Sequence, residues 1–219
     1  MLKIVSTFTD IGKRDYMQDE LATDGDTFVV CDGLGWHDGS GKAAKIAVDT
    51  IIECKDDLDV GFNLADHRII EFHDDRYGKP KNLYKPHAST TAVAVKLIDE
   101  SSLEWMSVGD SFILLYRDGV LNQINPLDEG GNGGLTNFLG IRTYAFSVNT
   151  PFHRGILKIH KGDVVILCSD GCEDVMNTSV NHANNNFTEE YPFASVMGDF
   201  ILEREMKYQD NIAIIALQF

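Results

Sequence analysis

The chain has 219 residues, 43% hydrophobic and 24% charged, and carries 34 acidic side chains against 19 Lys and Arg for a net charge of −15. That length and balance suit a single globular domain with a substantial core, and the acidity argues against a nucleic-acid binder, whose partner demands the opposite sign. No apolar run nears the roughly 20 residues that span a bilayer, which argues against a membrane partner, and MLKIVSTFTD turns polar too early for a signal peptide.

In chain order, strand-like runs fall at 2–8 and 27–31. The second, Phe28-Val29-Val30-Cys31, delivers Asp32 to its tip, followed by Gly33, Gly35, Gly39 and Gly41. Helical spacing follows in KAAKIAVDTIIECKDD, where Ala43, Ile46, Ala47, Ile51 and Cys54 share a face, and a further helix is expected over 62–77. Strands 89–98, 103–108 and 111–116 come next. LEWMSVGDSFILLYRDGVLNQI reads as a run of short antiparallel strands turning at Gly109-Asp110 and again at Asp118-Gly119. The segments 128–134 (DEGGNGG) and 181–192 (NHANNNFTEEYP) read as loops by composition. A strand at 163–168, an amphipathic helix at 193–206 with Phe193, Val196, Met197, Phe200 and Ile201 inward, and a strand at 212–218 complete the set. Strands in succession with a few helices to cover them predict an α+β layered sandwich rather than alternating βαβ units. The cysteines, Cys31, Cys54, Cys168 and Cys172, show no Cys-x-x-Cys spacing. Cys31 and Cys168 close apolar runs as buried free thiols do, which points to a reducing cytoplasm.

Four aspartates share one placement. Asp32, Asp110 and Asp170 each end an apolar strand, and Asp210 stands just before the last one. Taken singly, each reads as a turn or a cap. Together, if those strand ends adjoin, the carboxylates converge at one rim of the sandwich. Two like charges about 4 Å apart repel by about 4 kcal/mol at an effective dielectric of about 20. Such a set either holds protons or holds divalent cations. Oxygen-only ligands with no histidine at a matching spacing favour Mg²⁺ or Mn²⁺ over zinc, and two such ions clamp a phosphoryl group and acidify a bridging water.

The sequence resembles the metal-dependent Ser/Thr protein phosphatases of type 2C in their compact bacterial form. GKRDYMQD (12–19) is similar to the opening Gly-x-Arg-x-x-Asn-Glu-Asp motif, and VVCDGLGWHDG (29–39) to the Asp-Gly-Met-Gly-Gly-His block. STTAVAVKL (89–97), VGDSFILLYRDGVLNQI (108–124), LTNFLG (135–140), KGDVVILCSDGCEDV (161–175) and QDNIAIIAL (209–217) follow in the family's order, over nearly the whole chain. The resemblance implies a four-layer α-β-β-α sandwich, two antiparallel sheets flanked by helices, as one catalytic domain over 1–219. It implies two or three Mg²⁺ or Mn²⁺ ions: Asp32 bridging two of them, the Gly33 carbonyl on one, Asp170 and Asp210 on the second, and Asp110 with Asp174 at a third. Asp19 would orient metal-bound water, Asn211 would support Asp210, and Arg14 would hold two phosphate oxygens in its planar fork. A metal-activated water would then attack phosphorus in line, with no covalent intermediate.

The match has departures. Gln18 stands in place of the usual Glu, Leu34 where some relatives carry a histidine acid, and Trp36 where the block has Gly; His37 lies nearby. Only about 121–139 is available for the flap subdomain of relatives, so the site should be more open. The remaining histidines show no metal spacing, and His73-Asp74-Asp75 reads as helix surface. The expected partner is a phosphorylated protein, with a Ser/Thr kinase in opposition and the chain a monomer; the −15 background would draw in phosphosites with basic flanks. The competing functions are a pseudophosphatase that binds a partner with an inactive site, and an acidic Ca²⁺ module, which the lack of an EF-hand loop disfavours. A phosphatase of the same fold acting on small phosphate esters is a further alternative.

Overall fold

The computed structural model describes residues 2–35, 39–79, 87–131, 134–140, 152–204 and 209–219. Its strands are β1 (Ile4–Asp10), β2 (Asp19–Asp24), β3 (Thr27–Asp32), β4 (Ala92–Asp99), β5 (Ser102–Val108), β6 (Phe112–Arg117), β7 (Val120–Gln123), β8 (His153–Lys158), β9 (Val164–Cys168) and β10 (Ile212–Gln218). They form two five-stranded antiparallel sheets, ordered β1-β10-β9-β6-β7 and β2-β3-β4-β5-β8. Helices α1 (Ser40–Glu53) and α2 (Leu58–Tyr77) cover the second sheet, and α3 (Met176–Asn186) and α4 (Phe193–Leu202) the first. The layering is the expected α-β-β-α sandwich.

The central strands are apolar along most of their length because both of their faces are covered. In β10, Ile212, Ile214 and Ala216 pack under α3 and α4, while Ala213, Ile215 and Leu217 point to the opposite sheet. In β3, Val29 and Cys31 face α1 and α2, and Phe28 and Val30 face the space between the sheets. The side-chain period of two thus feeds two cores from one strand. Each fully buried Val, Leu or Ile contributes about 1.5–3 kcal/mol. All four cysteines are free thiols, and Cys31, Cys168 and Cys172 are buried.

Five differences from the sequence reading have physical causes. β5 and β6 do not pair: β5 lies in one sheet and β6 in the other, so Gly109-Asp110 is a crossing between sheets rather than a hairpin. β2 and β8 are edge strands, whose charged sequences blunt an open edge instead of alternating cleanly. The first half of the asparagine-rich segment is helical. There the amides of Asn181, Asn185 and Asn186 donate to carbonyls four residues back, at 2.8, 2.9 and 2.7 Å, while Val180 and Ala183 are buried on the other face. His73 is not on the helix surface; it is fully buried, beside the rings of Tyr77 and His87. The helix expected at 62–77 starts earlier, at Leu58, where the Asp57 side chain accepts the Val60 N–H at 3.2 Å.

The Gly109 backbone at the crossing is tied down on both its N–H and its carbonyl by one residue. Asp128 accepts the Gly109 N–H at 2.9 Å through its carboxylate and donates its own N–H to the Gly109 carbonyl at 2.9 Å. His153 meets the other carboxylate oxygen at 2.9 Å. Gly109 has φ of +95°, and a Cβ there would stand 2.6 Å from the Thr91 methyl. Gly109→Ala is therefore expected to destabilise the fold by about 2–3 kcal/mol, read as a shift of the urea midpoint; an unshifted midpoint would contradict it.

Candidate active site

The strand register brings the aspartates together. Asp32 is the last residue of β3 and sits opposite Asp19 in β2. Phe112 of β6 and Ile214 of β10 both flank Cys168 of β9. Two further steps along each strand bring Asp110 and Asp170 to adjoining ends, with Asp210 just ahead of Ile212. The result is a cleft of about 360 Å³ at one rim of the sandwich, lined by Arg14, Asp32, Gly33, Asp110, Asp170 and Asp210 among others.

Asp32 is fixed through its backbone. Its carbonyl accepts the Thr91 N–H at 2.9 Å and the Thr90 hydroxyl at 2.8 Å, and its N–H donates to Thr91 Oγ1 at 3.1 Å. Ser111 completes the chain, its hydroxyl 2.7 Å from that of Thr91. Gly33 packs between the start of α1 and the loop before β2: a Cβ would lie 2.7 Å from the Ser40 carbonyl and 2.8 Å from that of Gln18. Only glycine allows that approach. Ser40 then caps the loop by donating to the Leu34 carbonyl at 2.6 Å.

Arg14 rides on the loop between β1 and β2, which Asn211 holds in place. The Asn211 side chain accepts the Gln18 N–H at 2.7 Å and donates to the carbonyls of Ile11 at 2.9 Å and Tyr16 at 3.3 Å. Arg14 pairs with Asp210 across the cleft; both side chains are about one-third exposed.

The carboxylates strain against one another. Burial, then the neighbouring charges of Asp19, Asp170 and Asp110, push the Asp32 carboxyl well above the usual range. Burial raises Asp19 to about 7 although Ser169 donates to it. Asp110 is lifted to about 7, again by burial first and then by Asp170. Asp170 is raised by burial and by Asp210, partly offset by contact with Asp32 and by Arg14. One oxygen each of Asp19 and Asp170 is buried with no hydrogen-bond partner, a cost that a cation or a proton removes. Among the described residues no three His, Cys, Asp or Glu side chains close into a finished cage. The fit to a hard divalent cation lies in the donor chemistry: oxygen atoms alone, several carboxylates, and two oxygens lacking a partner.

Of the residues expected from the sequence, Arg14, Asp32, Gly33, Asp110, Asp170 and Asp210 line the cleft, and Asp19 lies buried behind Asp32. Asp174 does not join them; it is exposed, on the short 3₁₀ helix Asp170–Val175, outside the cleft lining. Trp36 and His37 fall outside the described residues. The sequence reading missed Thr91, Ser111 and the Asp128–His153 pair. Thr91 carried a signal, since it follows Thr90 in the segment STTAVAVKL just ahead of β4, but His153 and Asp128 meet only through the tertiary fold.

A family model described as Protein phosphatase 2C matches residues 10–213. A search of curated protein sequences finds no match. Among solved structures, the Mycobacterium tuberculosis serine/threonine phosphatase PstP/Ppp superposes with a TM-score of 0.78 at 16% identity, over 100% of this chain and 99% of that one. Stp1 from Staphylococcus aureus gives 0.80 at 18%, over 100% and 95%. The catalytic domain of PstP in complex with two manganese ions gives 0.78 at 19%, over 99% and 98%.

Proposed function

The chain belongs to the protein phosphatase 2C family, and on that premise we propose that it hydrolyses phosphoserine and phosphothreonine in proteins at a centre of two or three Mn²⁺ or Mg²⁺ ions. The observation that carries this reading is the cleft itself: aspartates from four strand ends face one arginine in a space the size of a phosphate and its surroundings. Asp32, the Gly33 carbonyl, Asp110, Asp170 and Asp210 would hold the ions; the exposed Asp174 is the least supported of the expected ligands. When bound there, the ions supply positive charge to the phosphoryl oxygens and an acidified water as nucleophile.

The chain's own groups have separate tasks. Arg14 exchanges its contact with Asp210 for two phosphate oxygens and orients the phosphorus. Asp32 is held by Thr90 and Thr91 so that its carboxylate does not follow the substrate. Asp19, buried behind Asp32 with one bare oxygen, accepts and holds a proton beside the reacting water. The pseudophosphatase alternative is disfavoured, because a binding module has no use for a set of buried, mutually repelling carboxylates. The chain would act as a single unit and a monomer against a Ser/Thr kinase in the cytoplasm, with the short segment 121–139 in place of a flap.

Arg14→Ala is expected to lower kcat/KM for a phosphothreonine peptide by about a hundredfold, with lysine restoring part of it. Stability should change by less than about 1 kcal/mol, because the Arg14–Asp210 pair is partly exposed. An unchanged kcat/KM would remove Arg14 from the site.

A further inference from the structure

Beside the cleft lies a second concavity of about 440 Å³, between the segment 16–20 and the first turns of α1. Gln18 lines both spaces, so an extended chain leaving the cleft enters this groove directly. Its walls include Tyr16, which is 54% exposed, and Met17; its edge carries Lys42 and Lys45, with Glu20 the one acid. Lys42 is exposed and forms no ion pair among the described residues. Lys45 reaches Asp49 at 3.1 Å, with both side chains half exposed, a contact weak enough to exchange for another carboxylate.

Along the lining two lysines stand against one acid, a positive excess in a chain whose net charge is −15. Charges more than about 8 Å away are largely screened at physiological salt, so a bound peptide responds to Lys42, Lys45 and Glu20 of the lining more than to the acids elsewhere on the chain. We propose that this groove seats acidic residues flanking the phosphoserine or phosphothreonine of a protein substrate, the lysines pairing with their carboxylates and the Tyr16–Met17 wall covering their apolar stems. The proposal rests on the phosphatase reading above. It reverses the expectation from net charge alone, that basic flanks are preferred.

The test uses phosphothreonine peptides alike except for three glutamates or three lysines on one side of the phosphoresidue, each side in turn. The expected result is an acid-to-lysine ratio of kcat/KM of about tenfold on one side, carried by KM and shrinking with salt. Lys42→Glu combined with Lys45→Glu should bring that ratio to one or below, with melting temperature checked to show that the variant is folded. A ratio near one in the wild type, a preference for lysine, or an acid preference that survives the double variant would overturn the proposal. Manganese-dependent turnover of p-nitrophenyl phosphate by the wild type reports on the phosphatase reading separately. If that turnover is missing, anisotropy of the same labelled peptides decides on the groove: tighter binding of the acidic peptide that the double variant abolishes supports it, and equal binding overturns it.

Discussion

Asp170→Asn is expected to lower manganese-dependent kcat/KM by about three orders of magnitude while raising the melting temperature of the metal-free protein. Asp170 stands at the end of β9 with Asp32 in contact, Asp210 near and one oxygen buried without a partner. The amide keeps the shape and removes the charge. The transition state loses a ligand of the ion centre, and the ion-free fold loses a buried charge that its burial and Asp210 already disfavour. Opposite signs for activity and stability mark a functional carboxylate. A variant that loses both together would make Asp170 a structural residue instead.

A second large effect lies in the dependence of stability on pH. Asp19 and Asp110 titrate near 7 in the folded chain, against about 4 for an unfolded aspartate. Between those values the folded state holds more protons than the unfolded one, so stability falls as pH rises from about 4 to about 7 and levels off above. One such carboxylate accounts for up to about 4 kcal/mol of the fall. Divalent cations replace the protons as partners of the charged forms, and a hundredfold excess over Kd adds about 2.7 kcal/mol. Melting curves from pH 5 to 8 should therefore decline with pH in EDTA and flatten, at higher temperatures, in Mn²⁺. A flat profile in EDTA, or no response to Mn²⁺, would contradict the coupling of these carboxylates to a cation site.

Much of this was legible in the sequence because the signals were local. The apolar run before Asp32 and the one before Asp170 announce covered strands, and the Gly that follows each marks a backbone that must pass close to a neighbour. Helix α1 follows from the spacing of Ala43, Ala47 and Ile51. What escaped depended on register or burial across the fold. That Asp19 faces Asp32 follows from the β2–β3 pairing, and β2, an acidic edge strand, hardly reads as a strand at all. The crossing at Gly109 looks like a hairpin because a sharp turn between two strands has the same composition whether the strands pair or part. Asn181 to Asn186 read as loop by propensity, but burial of Val180 and Ala183 overrides it. His73 reads as surface because it precedes two aspartates, although its own position on α2 points inward. The contact between Asp128 and His153 joins residues 25 apart in sequence, with no motif to announce it.

The most direct measurement is the release of phosphate from a phosphothreonine peptide by the purified chain, in Mn²⁺ and in EDTA, with calorimetric titration of Mn²⁺ alongside. A metal-dependent phosphatase binds at least two ions and turns over the peptide only when they are present. Turnover that is indifferent to EDTA, or a chain that binds no Mn²⁺ at all, would contradict the assignment of the strand-end aspartates as its metal centre.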